Sequence, residues 1–147
     1  MVDLLRGHIL ALDTNRIEPL IGIVGVCASG KSTLVEGLTA RGYVVRHIAQ
    51  EHSYVKDMWK RITSPDLLIF LDATFETTLA RRKMDWTEKE YSEQQRRLSH
   101  ARANADFCLD TSQFTAEDVL EKVIYFLVMN LPKNKWGRNI PLNQTLN

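Results

Sequence analysis

Cysteine is scarce in this sequence. The 147 residues include only Cys27 and Cys108, which lie far apart and form no CxxC pair. This usage argues against a disulfide scaffold and fits a reduced, cytosolic location. Cys27 stands inside a glycine-rich stretch, where we interpret it as a small filler residue.

An excess of charge and a long apolar run are also missing. Lysine and arginine total 19 against 18 aspartate and glutamate, a net charge of +1, which argues against bulk electrostatic binding to nucleic acid. No apolar run approaches the length that spans a bilayer. The opening "MVDLLRGHILALD" lacks the basic region typical of a signal peptide. We therefore expect a cytoplasmic protein with neither a membrane nor nucleic acid as its partner.

Strand and helix patterns alternate along the chain. The predicted elements are strand 20–25, helix 31–42, strand 43–49, helix 53–62, strand 66–72, helix 74–84, helix 87–103, strand 105–111 and a helix from 115 that ends before Pro132. Such alternation predicts one α/β domain over residues 1–147, with three αβα layers around a parallel sheet. Residues 1–19 are expected to form an N-terminal extension, and residues 133–147 an irregular tail.

Local signals support several of these helices. Thr74 and Thr115 are candidate N-caps, and Thr87 with Glu90 forms a predicted capping box that Trp86 and Tyr91 would complete as a hydrophobic staple. In the 53–62 segment an apolar stripe at helical spacing predicts three turns of helix packed on the core; its members are Val55, Met58, Trp59 and Ile62.

The stretch "GVCASGKST", residues 25–33, matches a phosphate-binding motif. Gly25, Gly30, Lys31 and Ser32 satisfy G-x-x-x-x-G-K-[ST], and a predicted strand precedes them while a predicted helix follows. Glycines allow backbone N–H groups to form an anion nest, the lysine reaches β- and γ-phosphates, and the serine hydroxyl binds Mg²⁺. The residues expected to contact the nucleotide phosphates are Gly25, Ala28, Ser29, Gly30, Lys31, Ser32 and Thr33.

Two longer stretches resemble the P-loop small-molecule and nucleotide kinases. "IGIVGVCASGKST" is similar to the loop of gluconate and nucleoside monophosphate kinases, and "PDLLIFLDATFETTLARR" is similar to a run of thymidylate kinases, with Phe75 where those kinases usually have proline. "ARANADFCLDT" resembles dephospho-coenzyme A kinases more weakly. The resemblance implies a P-loop NTPase fold, ATP with Mg²⁺, and a short lid that carries arginines.

Five arginines are candidates for that lid: Arg81, Arg82, Arg96, Arg97 and Arg102. Arginines that close over a transferred phosphoryl group favour its transition state, although arginine on a helix surface is commonly only solvated. Arg81 is the preferred catalytic candidate because it also falls on the thymidylate-kinase pattern. Arg82 and Arg102 are expected to contribute to nucleotide binding.

Two acidic residues compete as the partner of Mg²⁺. Glu51 follows the strand that a right-handed crossover would set beside the loop-bearing strand, so its end would face the γ-phosphate. Asp72 ends an apolar strand, yet it also suits the start of the next helix. We favour Glu51 as metal partner or general base and keep Asp72 as the alternative. His52, next to Glu51, is held as a candidate contact to the acceptor.

These residues predict an ATP-dependent kinase that acts on a small metabolite or nucleotide by positioning and charge, without a covalent intermediate. Only residues 49–64 are available to hold the acceptor. The acceptor is therefore small, or a second copy of the chain completes the site as a homodimer, or water replaces the acceptor. A regulatory nucleotide switch is the alternative, and a nucleic-acid-end kinase is supported only by the "RR" doublets. No N/T-K-x-D guanine signature is present.

Overall fold

A computed structural model describes residues 18–83 and 85–131. The predictions for most of the N-terminal extension and for the tail therefore lie outside the described residues. The strands are β1 Leu20–Gly25, β2 Val44–His47, β3 Leu67–Asp72 and β4 Phe107–Asp110. The helices are α1 Lys31–Ala40, α2 Phe75–Arg82, α3 Glu88–Asn104 and α4 Ala116–Asn130, with a 3₁₀ turn Gln50–His52 and a π-helical turn Trp59–Thr63.

The four strands form one parallel sheet in the order β2-β1-β3-β4. The crossover from β1 through α1 therefore brings β2 directly beside β1, as predicted. β3 lies on the other side of β1, with Gly25 opposite Leu71. The predicted α/β class is confirmed, and the carboxyl ends of all four strands share one edge of the sheet.

Both faces of the sheet are covered, because the strands alternate buried side chains between two apolar clusters. Ile21 and Ile69 face a cluster that includes residues of α1 and α4. Val24 and Phe70 face a second cluster that includes residues of α3 together with Trp59. The arrangement is compatible with the predicted three-layer fold. Within the described ranges, no helix combines the length and apolar content needed to cross a membrane.

The predicted helix starts are confirmed. The hydroxyl of Thr74 accepts a hydrogen bond from the third residue of α2, and the side chains of Thr87 and Thr115 each form a complete capping box. The rings of Trp86 and Tyr91 lie 5.9 Å apart, edge to face, as the predicted staple requires. Capping depends on residues three or four positions apart, so the local sequence determines it.

The predicted α-helix over 53–62 is wrong. Turns are followed by the short π-helical turn, and Val55 and Ile62 are exposed. The cause is Gln50, which is fully buried: its side chain accepts from the amide of Trp59 at 2.9 Å and donates to the carbonyl of Val55 at 2.8 Å. These bonds hold the backbone in turns instead of a helical ladder. The predicted core role of Trp59 is confirmed by its burial.

Candidate functional site

The glycine-rich loop, residues 25–31, joins β1 to α1 at the carboxyl edge of the sheet. A Cβ atom at Gly25 would lie 2.1 Å from the carbonyl oxygen of Leu71, so only glycine allows this approach of β1 to β3. Gly30 has φ of 102°, a left-handed conformation, and nothing lies within 4 Å of the position its Cβ would take. The loop is therefore packed at its start and open at its end.

The end of the loop leaves backbone groups available to an anion. Gly30 is the N-cap of α1 and supplies no side-chain hydrogen bond to the first turn of that helix. Ala28 adopts a left-handed φ of 64°, which is uncommon for a residue with a side chain and is found at ligand sites. A helix N-terminus without a side-chain cap is suited to phosphate or carboxylate groups.

Lys31 is buried beneath this loop. Its ammonium group donates to the carbonyl oxygens of Gly25 at 2.8 Å and Val26 at 3.1 Å. It also pairs with a carboxylate oxygen of Glu51 at 2.9 Å, and both side chains are almost fully inaccessible, at 6% and 5% exposure. The site thus holds one buried cation and one buried anion in direct contact.

Glu51 reaches Lys31 because β2 runs parallel to β1 and the 3₁₀ turn follows shortly after the end of β2. Its second carboxylate oxygen, Oε1, is buried and accepts no hydrogen bond within the described structure. A buried carboxylate oxygen without a partner is costly unless a ligand or water satisfies it. This oxygen of Glu51 is therefore available to accept a hydrogen bond from a ligand or water next to the loop.

Asp72, the alternative to Glu51, is bound elsewhere. One of its oxygens accepts from Arg102 at 2.8 Å, and the other accepts from the side chain of Gln95 at 3.0 Å and from the amide of Ala73 at 2.9 Å. Arg102 also lies over the ring of Phe70. The structure consequently brings Glu51 to Lys31, while Asp72 and Arg102 satisfy each other.

Arg81 is the candidate lid residue that touches the loop. Its guanidinium donates to the carbonyl of Ala28 at 3.0 Å and to the hydroxyl of Thr111 at 2.8 Å. Thr111 in turn donates to the carbonyl of Ser29 at 2.8 Å. Arg81 and Thr111 thus connect the end of β4 to the glycine-rich loop.

The remaining lid candidates are Arg82, Arg96 and Arg97. Arg82 is exposed and lines a cavity in front of the loop. Arg96 pairs with Glu93 within α3, and Arg97 also contacts Glu93 while its guanidinium lies 4.3 Å from the ring centroid of Tyr54. Arg96 and Arg97 therefore have structural partners on or beside their own helix.

Two cavities flank the loop. The smaller, about 220 Å³, is lined by Ser29, Gly30, Thr33, Leu34, Arg81, Thr111, Phe114, Ala116 and Val119. The larger, about 360 Å³, is lined by Cys27, Ala28, Gly30, Lys31, Ser32, Thr33, His47, Ala49, Glu51, His52, Arg81 and Arg82. Every predicted phosphate-loop residue except Gly25 thus lines at least one cavity, and Arg81 lines both.

Sequence reasoning missed two residues that shape the loop. Thr111 could have been found, because it directly follows β4 at the carboxyl edge where ligands bind in parallel sheets. Gln94 gave no such signal. Its buried side chain accepts from the amide of Cys27 at 3.0 Å and donates to the Cys27 sulfur at 3.1 Å, which ties α3 to the loop.

Two histidines border the larger cavity. Partial desolvation of the His47 imidazole, which lies at the exposed end of β2, holds the pKa of His47 below its usual value of 6.5, with a smaller contribution from the Lys31 ammonium and with Glu51 opposing the shift. His52 is exposed, and its Nε2 atom lies 3.8 Å from a Glu51 oxygen and 3.9 Å from the Cys27 sulfur.

Comparisons of the chain with models of protein families and with curated proteins gave no match. The chemistry of the site therefore rests on its own residues. It has an uncapped helix N-terminus, a buried cation beneath it, a carboxylate with a spare oxygen and an arginine at the rim. Such a site can bind a polyanion and stabilise negative charge that develops on it.

Proposed function

We propose that this chain is an ATP-dependent phosphotransferase built on a P-loop NTPase fold, with α2 and α3 as a short lid. The observation that carries the proposal is the burial of Lys31 beneath the glycine-rich loop, in contact with Glu51. A buried ammonium beside an uncapped helix N-terminus is an arrangement suited to phosphate groups.

The residues present fit a nucleotide with Mg²⁺. The open space at Gly30 would admit phosphates against the loop backbone, as its function requires. Mg²⁺ prefers oxygen ligands, and the Ser32 hydroxyl and the spare oxygen of Glu51 are the donors that would hold it, directly or through water. Bound Mg·ATP would supply the transferable phosphoryl group and neutralise part of its charge.

The nucleobase would occupy the smaller cavity. Leu34, Phe114 and Val119 give this cavity apolar walls, and Arg81 crosses its rim toward Ala28. Flat aromatic ligands bind in concave, mostly apolar sites that contain a few polar groups. The larger cavity, on the other side of Arg81, would then receive the phosphates and the acceptor.

Lys31 would exchange partners when phosphates arrive. In the structure its ammonium is satisfied by Glu51 and two carbonyls, so binding a phosphate oxygen would release Glu51. Glu51 could then hold the metal through water or accept the acceptor's proton. Arg81 and Arg82 would place positive charge over the transferred group, where it stabilises the transition state.

The acceptor would be a small metabolite or a nucleotide bound in front of Glu51. His47, His52 and Arg82 line this part of the larger cavity and would contact a polar or anionic acceptor. Among the described residues, the 49–64 segment adds little enclosure, because Val55 and Ile62 are exposed. This segment favours a small acceptor or one completed by a second copy of the chain.

The test is mass-resolved phosphoryl transfer. The protein is incubated with Mg·ATP and a pooled panel of nucleosides, nucleoside monophosphates and hydroxylated acids. We expect a product heavier by one HPO₃ group with the wild type and with Lys89→Met, a change on the exposed face of α3. Lys31→Met should form none while still giving a folded protein by circular dichroism. Product formation that is unchanged in Lys31→Met would contradict the proposal.

A nucleotide-dependent switch is the second candidate. The observation in its favour is the short 49–64 segment, which provides no enclosed acceptor compartment within the described residues. ATP binding that requires Lys31, with slow loss of ATP and no phosphorylated product, would favour the switch over the kinase.

A further inference from the structure

Three potential metal ligands meet at the larger cavity. Cys27, Glu51 and His52 each offer one donor atom, and these atoms all lie within 4.8 Å of one another. The sulfur of Cys27 is 3.9 Å from the Nε2 atom of His52, and that nitrogen is 3.8 Å from Oε2 of Glu51. Glu51 and His52 are neighbours in the sequence, and the fold places Cys27 of the glycine-rich loop beside them.

The spacing is close to that of a tetrahedral metal site. Zinc bonds of about 2.0–2.3 Å place the ligand atoms of a tetrahedron roughly 3.3–3.8 Å apart. The sulfur–nitrogen and nitrogen–oxygen separations exceed this range slightly, and all three atoms lie within 4.8 Å of one another, so binding requires a small inward movement of the ligands. His52 is exposed, so its ring has room to adjust without disturbing the core.

The hydrogen bonding of Glu51 leaves it able to bind a cation beside Cys27 and His52. Oε1 of Glu51 is buried without a hydrogen-bond partner, although Oε2 is paired with Lys31. A buried carboxylate oxygen in this state is satisfied by a bound cation or water. In addition, Gln94 donates a hydrogen bond to the sulfur of Cys27 at 3.1 Å. Such a donor orients a ligating sulfur, as outer-shell partners do in metal sites.

The donor set selects the class of cation. One sulfur, one imidazole nitrogen and one carboxylate oxygen favour Zn²⁺ and similar thiophilic ions, whereas Mg²⁺ prefers oxygen alone. Three protein ligands leave a fourth position, which here would open into the larger cavity because all three residues line it. Zinc sites with three protein ligands and an open position are exchangeable or catalytic rather than purely structural.

We propose that Cys27, Glu51 and His52 bind one thiophilic divalent cation of the Zn²⁺ type. The sulfur binds as thiolate, so the thiol proton leaves to solvent when the cation enters. Glu51 is also the carboxylate that would hold the Mg²⁺ accompanying ATP, so the two cations would be alternative occupants of that side chain. The site shares Glu51 with Lys31, so an ion at this place draws the carboxylate away from the ammonium. The proposal stands without the proposed function, since the cation binds in the absence of nucleotide.

Cobalt provides the test, because Co²⁺ bound to a thiolate gives a sulfur-to-metal charge-transfer absorption that water or oxygen ligands do not give. The reduced full-length chain is titrated with Co²⁺ and then with Zn²⁺, without nucleotide. We expect the absorption to saturate at one Co²⁺ per chain and to disappear as Zn²⁺ displaces it. Cys108→Ser is the matched control, since it removes the other, exposed cysteine.

The variants separate the proposed site from other binding. Cys27→Ser should abolish the absorption, Cys108→Ser should retain it, and His52→Ala should weaken Zn²⁺ binding by about tenfold or more. If Cys27→Ser fails to fold, His52→Ala still tests the proposed site, because the exposed imidazole is not part of the core. The proposal is overturned if no charge-transfer absorption appears, if it persists in folded Cys27→Ser, if Cys108→Ser loses it, or if His52→Ala binds Zn²⁺ as tightly as the wild type.

Discussion

Lys31 and Glu51 place opposite charges in a part of the molecule that water barely reaches. Removing two ions from water is costly, so a buried pair adds little net stability over an apolar pair of similar size. Removing one partner is a different matter, because it leaves an uncompensated charge. The two residues are unequal in this respect. Lys31 has two carbonyl acceptors besides Glu51, while one oxygen of Glu51 is already without a partner.

This inequality gives a prediction at the residue scale. Lys31→Met should lower the free energy of unfolding by about 3–5 kcal/mol, since it leaves the Glu51 carboxylate buried and unpaired. Glu51→Gln should cost less, because Lys31 keeps its carbonyl acceptors. The double variant should be more stable than Lys31→Met alone. Urea denaturation of the four proteins provides the double-mutant cycle. Additive effects of the two changes would show that the pair is not coupled.

Strands β1 and β3 approach each other closely where β1 leads into the glycine-rich loop. At position 25 the backbone of β3 leaves no room for a side chain, so other residue types are excluded. At position 30 a side chain would meet open space, and only the left-handed backbone conformation favours glycine. The two glycines of one motif therefore serve different purposes. One allows two strands to approach, and the other allows a left-handed turn at a helix N-terminus.

The two alanine substitutions should separate these purposes. Gly25→Ala should destabilise the fold strongly, because a methyl group would overlap the carbonyl of Leu71. Gly30→Ala should cost only about 1–3 kcal/mol of backbone strain. Thermal unfolding of both variants, with wild type as reference, measures the difference. Equal losses in the two variants would mean that the approach of β1 to β3 relaxes easily.

Element boundaries show which local rules are reliable. Thr74, Thr87 and Thr115 cap helices as the sequence predicts, because a cap and its partner lie within one helical turn. The apolar stripe from Val55 to Ile62 has an equally clear period, yet it forms no α-helix. The buried amide of Gln50 binds this backbone instead, and the periodicity of the segment itself carries no information about that contact.

At the scale of the whole molecule, charge is nearly balanced, with a net value of +1. General self-repulsion is therefore small near neutral pH, and the pH dependence of stability comes from individual perturbed groups. His47 is one of them. Its lowered pKa means that the folded protein binds a proton at this imidazole more weakly than the unfolded chain does.

The sign of the effect follows from this difference. The contribution of His47 to stability is fully present above the unfolded pKa of 6.5 and is lost as the pH falls from 6.5 through the lower folded pKa. Urea unfolding at pH values from about 5 to 8 should show stability rising with pH, and His47→Gln should reduce that slope. A His47→Gln protein with the wild-type slope would show that His47 does not contribute.

By itself, the sequence determined the α/β class, the parallel strands, the capped helices and the glycine-rich loop between β1 and α1. These features depend on alternation, on partners within one helical turn and on residue types at fixed short spacings. The tertiary structure decided which acid meets Lys31. Asp72 ends β3 and Glu51 lies in the turn that follows β2, both at the same edge of the sheet, so local pattern does not distinguish them. Asp72 is bound by Arg102 from α3, and Glu51 lies against Lys31 because β2 pairs with β1. Contacts between distant elements depend on strand order and packing, which no local spacing records.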